Sequence, residues 1–352
     1  MNSILSLSKY VMNLSKKDKD LFSRIYTVTE DVGALKIPKE MKEWVISRFG
    51  SVRAVENQKI VRVDNNVTCE SALFNELRAM RPIEANKNEN TQKFIKEKIG
   101  GDFCNPNTRT AEDTFGRVKG SRSVTGSNIA KYDALHGLVI FKEHNPLKFS
   151  LSDVKDYLKI AEKWIKKGYK KYPERKYPYI MWNCLWKAAA SIAHGHMQIV
   201  LAKNRHYGGI ESLRRFAEGY SKVFKSDYHD DIYRVHKSVG LAFEKKNNRV
   251  LTYLTPVKEK EMIIISKSIK NCSEAIYRAL KAYLEMGVES FNIGIYLQPL
   301  DNSWNMPVIA RLVDRGSLSN NTVDIGGMEI FAGSNVIASD PYKVFDRVKE
   351  EF

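Results

Sequence analysis

Two of the chain's seven histidines stand one residue apart, in the run "AHGHMQIVLA" from Ala193 to Ala202. Gln198 follows in the same alternation. After His196 the run is apolar except for that glutamine and contains the β-branched pair Ile199–Val200, a composition that predicts a buried strand. Side chains on a strand alternate faces, so His194, His196 and Gln198 are expected to project to one side. An imidazole held in one tautomer is a nucleophile toward phosphorus. A backbone carbonyl that takes its Nδ1–H leaves the Nε2 lone pair facing outward, and an amide two residues on can donate to a phosphoryl oxygen as charge develops. The same spacing also suits a metal, because alternate strand residues converge on one ion. A purely structural pair, satisfied by buried partners, is the third reading. Spacing alone leaves all three open.

The elements around this face have to be built from 352 residues, enough for roughly two domains with a full core. Composition is that of a folded protein, with 43% apolar, 11% aromatic and 28% charged residues. No apolar run approaches the ~18 residues of a membrane span. The first twenty residues, "MNSILSLSKYVMNLSKKDKD", have no continuous apolar core followed by a cleavage site, so a cytoplasmic protein without a membrane partner is expected. The four cysteines are far apart, without a C-x-x-C pair, and are read as free thiols of which one is a candidate metal ligand. A net charge of +16 favours polyanionic partners such as nucleotides, sugar phosphates or nucleic acid. Lysines that only solubilise exposed helices, as in "KWIKKGYKKYPERK", give the same excess.

Residues 1–65 read as a mostly helical N-terminal extension with a short hairpin around "SVRAVENQKIVRVDNN". "ESALFNELRAMRP" reads as a short helix stopped by Pro82, and "IEANKNENTQKFIKEKIGGD" as a solvated helix and loop. From Phe103 loop chemistry dominates up to the strand "ALHGLVIF". Ser150 and Asp153 predict an N-cap, followed by a helix with Val154, Leu158, Ala161 and Ile165 on one buried stripe. "YPYIMWNCLW" and "SIAHGHMQIVLAK" are the next strands. The second half repeats this grammar without a second H-x-H-x-Q. The expectation is an α+β fold of two similar halves, 66–205 carrying the chemistry and 206–352 lacking it, each an antiparallel sheet packed by helices.

The segment "NCLWKAAASIAHGHMQ" resembles the active-site segment of the galactose-1-phosphate uridylyltransferase family, the nucleotidyl-transferring branch of the histidine-triad superfamily. Asn183, Ser191, His194, His196 and Gln198 fall at matching spacing. Gly195 replaces the usual proline, and Leu185 and Ala189 replace usual glycines. "LFNELRAMRP" is similar to an R-x-x-R-P element (Arg78, Arg81, Pro82), and "CNPNTRTAEDTFGRV" to a C-x-G-N-x-R segment bearing Asn107 and Arg109. "SNIAKYDALHGLVIFKEHNP" resembles the following strand with its Asn128 and the later His144, and "DIGGMEIFAGSNVIASDP" the closing strand. The likeness runs in order over residues 66–345.

The resemblance implies a histidine-triad-like fold and ping-pong transfer. His196 would attack the α-phosphorus of a nucleotide sugar, sugar 1-phosphate would leave, and a phosphorylated acceptor would take the nucleotide back. Gln198 would hold a non-bridging oxygen, Asn183 and Ser191 would contact phosphoryl oxygens, and Arg78 and Arg81 would neutralise the diphosphate. Asn128 would sit near ribose or phosphates, with Asn107 and Arg109 also on the substrate. The implied activity is transfer of UMP between UDP-hexose and hexose 1-phosphate by a homodimer that does not require nucleic acid. A structural zinc is also implied, held by Cys104, His144 and His194. Gly101 occupies the place of the first cysteine, so the ligand set is one short, with Asp102 or water as substitutes. Two alternatives remain: a dinucleoside-polyphosphate or ADP-sugar phosphorylase using the same histidine, and a non-catalytic nucleotide- or RNA-binding protein on this scaffold. No equivalents of the family's hexose-contacting residues are found in "SLSNNTVDIGGMEIF".

Overall fold

A computed structural model describes residues 2–80, 90–320 and 322–352. Its centre is a nine-stranded antiparallel sheet. In chain order the strands are β1 (Tyr26–Ala34), β2 (Asn57–Asn65), β3 (Ser71–Phe74), β4 (Ser123–Ser127), β5 (His136–Phe141), β6 (Tyr177–Cys184) and β7 (His196–Ala202). They continue with β8 (Ala242–Lys245), β9 (Asn248–Thr252), β10 (Met262–Ser266), β11 (Phe291–Tyr296), β12 (Val308–Asp314) and β13 (Ser334–Ile337). The large sheet runs β4-β5-β7-β6-β11-β12-β10-β9-β8, and β1-β2-β3-β13 form a second, four-stranded sheet. The order β4-β5-β7-β6 is repeated in reverse as β11-β12-β10-β9, so two similar halves meet edge to edge at β6 and β11. The α+β architecture of two similar halves, each an antiparallel sheet packed by helices, is the one observed.

Each half contributes one long helix to the same face. Ser150 caps the helix Leu151–Lys171: its hydroxyl accepts the Asp153 N–H, and the Asp153 carboxylate accepts the Ser150 N–H at 2.8 Å. Val154, Leu158, Ala161 and Ile165 are buried as their spacing predicts. Its counterpart, Ile269–Glu285, is capped by Ser268. Between helices and sheet lie Trp164, Trp182, Ile180, Ile199, Ile276, Leu280 and Phe291, all nearly inaccessible. Burial of each such side chain contributes about 1.5–3 kcal/mol. Since Met197, Ile199 and Leu201 of β7 enter this core, His196 and Gln198 must face the other side.

The opposite face is treated differently in the two halves. Over the second half it is covered by a core joining Ile4, Leu7, Phe22, Ile25, Val61, Val63 and Phe74 to Leu251, Ile263, Ile265 and Ile309. The N-terminal 65 residues thus form part of the fold's interior. They also contain more strand than their composition suggests. The hairpin expected at "SVRAVENQKIVRVDNN" is instead a helix, Val52–Glu56, leading into β2, and β2 pairs with β1 over nine residues each. The helix expected at "ESALFNELRAMRP" is β3 followed by the 3-10 turn Glu76–Met80; Arg81 and Pro82 lie outside the described residues. β4 also emerges from a stretch read as loop. Among the described residues no helix is long and apolar enough to cross a membrane.

Close packing fixes how the helix layer seats on the sheet. A Cβ built on Gly137 in β5 would lie 2.5 Å from the Trp164 ring. Gly137→Ala is therefore expected to lower stability by about 1–3 kcal/mol through overpacking, read as a fall in the urea midpoint without a change in slope.

Candidate active site

The register of the large sheet turns the sequence pattern into a site. Ile140 of β5 pairs with His196, and Met181 of β6 pairs with Gln198. Carrying the β6–β7 register two residues on sets Asn183 beside His196, on the face turned from the helices. Asn292 of β11 then pairs with Asn183. One row across the sheet thus holds His196, Asn183 and Asn292; the next holds Gln198 and Met181.

His196 is held in a single tautomer. Its Nδ1 donates to the His194 carbonyl at 2.8 Å, which leaves Nε2 unprotonated. The residue is 6% exposed, with the Phe103 ring edge-on at a centroid distance of 5.1 Å. Nε2 forms no hydrogen bond among the described residues. Burial lowers the His196 pKa, against the carbonyl hydrogen bond, and keeps the ring neutral.

Gln198 Oε1 lies 2.8 Å from His136 Nε2 and accepts the Tyr132 hydroxyl at 3.1 Å. With the oxygen so engaged, the amide's N–H groups are left to donate elsewhere. His136 was not singled out by the sequence, where it reads as one residue of an apolar strand. It is fully buried, its Nδ1 has no partner among the described residues, and Asn128 Nδ2 lies 3.1 Å from its Nε2. Asn183 is fixed in a similar way: Asn292 Nδ2 donates to its Oδ1 at 2.7 Å and to the Ala188 carbonyl at 2.9 Å. Arg315 donates to Asn292 Oδ1 at 2.5 Å and forks onto Asp324 at 2.7 and 2.8 Å. The Asn183 amide hydrogens therefore also have no acceptor among the described residues. Asn292 and Arg315 come from the second half, and only the sheet register reveals their role.

Cys104, His144 and His194 come together. Cys104 Sγ lies 3.3 Å from His144 Nδ1 and 3.4 Å from His194 Nδ1, and the two Nδ1 atoms are 3.1 Å apart. Each ring gives its Nε2–H to a backbone carbonyl, His144 to Ile95 and His194 to Phe141, both at 2.8 Å. That tautomer turns both Nδ1 lone pairs toward the thiol, the arrangement metal-bound histidines show. Burial, with His144 and His196 nearby, pushes the His194 pKa down to about 4. The three residues fit a zinc-type ion.

The remaining residues spread around this centre. Ser191 is exposed on the loop between β6 and β7. Asn107 lines a cavity of about 270 Å³ together with Cys104 and His194. Arg109 is exposed and engages Asp102 at 3.8 Å and the Gly100 carbonyl at 3.4 Å. Arg78 is exposed and lines a separate cavity of about 650 Å³ with Lys187 and Arg315.

No protein-family model and no curated protein sequence matches this chain. Solved structures do. An ADP-glucose phosphorylase from Arabidopsis thaliana with bound ADP-glucose superposes with a TM-score of 0.62 at 15% identity, over 82% of this chain and 97% of that one. A GalT-like protein from Arabidopsis thaliana gives 0.60 at 16%, and a uridylyltransferase 0.57 at 13%, each over the same shares. The chain shares their fold.

Within that fold, the two positions where the resemblance leads one to expect glycine are conformationally demanding. Leu185 has φ 62° and ψ 177°, and Ala189 has φ 64° and ψ 26°. Both bracket the turn that carries Ala188 and leads to Ser191. Left-handed backbone disfavours a Cβ by roughly 1–2 kcal/mol. Ala189→Gly is expected to raise stability by about 0.5 kcal/mol, net of the added chain entropy of glycine; an unchanged or lower thermal midpoint would contradict this reading.

Proposed function

We propose that the protein is a nucleotidyltransferase acting on nucleotide sugars through a covalent nucleotidyl-His196. The observation that carries the reading is the Nδ1–carbonyl bond of His196, which leaves an unprotonated Nε2 on the sheet face that also holds two amides with oxygens already engaged. Nε2 attacks the α-phosphorus, the P–N bond forms, and the bond to the sugar 1-phosphate oxygen breaks with its electron pair. In the second half-reaction an acceptor phosphate oxygen attacks the same phosphorus and the P–N bond breaks. Gln198 and Asn183 donate to the non-bridging oxygens, whose charge grows in each transition state. Ser191 adds a hydroxyl from the loop, and Asn107, Arg109, Asn128, Arg78 and Arg81 are proposed to hold the rest of the nucleotide sugar. Residues 66–205 form the catalytic half, and 206–352 hold Asn183 in place through Asn292.

A metal held by Cys104, His144 and His194 would have a structural role, fixing the backbone whose carbonyl orients His196. The finer assignment is transfer of UMP between UDP-hexose and hexose 1-phosphate. The alternative, an ADP-sugar phosphorylase with inorganic phosphate as acceptor, has the support of the structural similarity to the phosphorylase with bound ADP-glucose.

Incubation with UDP-glucose, ADP-glucose or diadenosine tetraphosphate, followed by intact mass measurement, separates these readings. A UMP adduct supports the uridylyltransferase and an AMP adduct the phosphorylases; no adduct with any of the three refutes the covalent mechanism. His196→Ala is expected to remove the adduct. Gln198→Ala should slow its formation by about 10²-fold, the usual loss for one oxyanion donor.

A further inference from the structure

Gly101 stands where a fourth ligand would complete the group of Cys104, His144 and His194, and among the described residues no further histidine, cysteine or carboxylate joins the three. The nearest substitute in sequence, Asp102, has a side chain 69% exposed and faces Arg109. Three protein ligands leave one tetrahedral position of a zinc-type ion to an exchangeable molecule. Cys104 and His194 both border the 270 Å³ cavity, whose wall also holds Lys119, Lys142 and Asn107. Neither lysine has a carboxylate within 4.0 Å among the described residues. A cation beside two uncompensated ammonium groups makes a site for negative charge.

We infer that Cys104, His144 and His194 hold a zinc-type divalent ion whose fourth position is open and takes a small inorganic oxyanion from the Lys119–Lys142 cavity. The site is then a metal-assisted anion site, where a fourth protein ligand would have made it a closed staple. The backbone at Gly101 permits that closure. Its φ of −64° and ψ of 176° suit any residue, and an added Cβ would meet only the Lys98 carbonyl at an ordinary 3.5 Å. The Cys104 N–H donates to the Gly101 carbonyl at 2.9 Å, so a thiol at 101 would complete a C-x-x-C turn.

Cobalt(II) titration of the metal-free protein, kept reduced, tests the inference through absorption bands that do not depend on nucleotidyl transfer. The wild type is expected to bind one ion with tetrahedral d–d bands that shift saturably as inorganic phosphate is added. Replacing Lys119 and Lys142 by alanine should weaken that phosphate response at least about tenfold, or ~1.4 kcal/mol. In Gly101→Cys the thiolate-to-cobalt charge transfer should about double, with two thiolates in place of one, and the phosphate response should vanish. Failure of the wild type to bind cobalt, or bands indifferent to phosphate, would overturn the proposal. So would Asp102→Asn changing the phosphate-free spectrum, since that would make Asp102 the fourth ligand. The wild-type titration decides the matter even if Gly101→Cys does not fold.

Discussion

The hydrogen bond from His196 Nδ1 to the His194 carbonyl is the constraint on which the site rests. It selects the tautomer, sets the ring's angle to the strand and leaves one nitrogen with its lone pair free. Its strength as a positioning device depends on the carbonyl being fixed, and several contacts fix it. His194 Nε2 is tied to Phe141, the Gly195 N–H donates to the His144 carbonyl at 3.1 Å, and the Phe141 N–H donates to Gly195 at 3.0 Å. Gly195 itself is explained by these contacts. A proline there would lose the donor, and any Cβ would lie 2.5 Å from the Phe141 ring. The start of β7 is thus clamped to the exit of β5, and the Cys104–His144–His194 group lies at the same junction.

The sheet extends that constraint sideways. Because β6 and β11 pair across the junction of the halves, the second half reaches Asn183 through the Asn292 amide, backed by Arg315 and Asp324. The pseudo-two-fold between Met181 and Gly294 places Arg311 where the first half has Gln198. Its surroundings explain why the two positions differ. Arg311 lies against the N-terminal core, donating to Glu261 at 2.6 Å and Glu70 at 2.8 Å, with Nη2 unpartnered among the described residues. With Glu261 buried and Arg311 and Glu70 partly so, a triad of this kind specifies a register more than it adds stability. Over the second half this face of the sheet is sealed, and the N-terminal segment does the sealing.

Much of this was legible in the sequence, and the exceptions have physical causes. The strand β7, the capped helix after Ser150 and the repeated order of elements follow from period and capping, which are local. The convergence of Cys104, His144 and His194 was legible only through resemblance, since nothing local joins residues so far apart. β1 was missed because "YTVTEDVGA" is largely exposed, so its composition carries no buried alternation. The N-terminal core was missed because its partners lie some two hundred residues away in the chain. His136 and Asn292 were missed because their role is to orient another side chain. That role depends on strand register, which has no sequence pattern of its own.

Nucleophilic attack by His196 requires one protonation state of its imidazole, and nitrogen-15 NMR of histidine-labelled protein near neutral pH measures it directly. The His196 resonances, assigned by their loss in His196→Ala, should show a protonated Nδ1 and an unprotonated, lone-pair Nε2. A protonated Nε2 with the lone pair on Nδ1 would leave Nε2 without the lone pair that attack on phosphorus needs and would contradict the covalent mechanism.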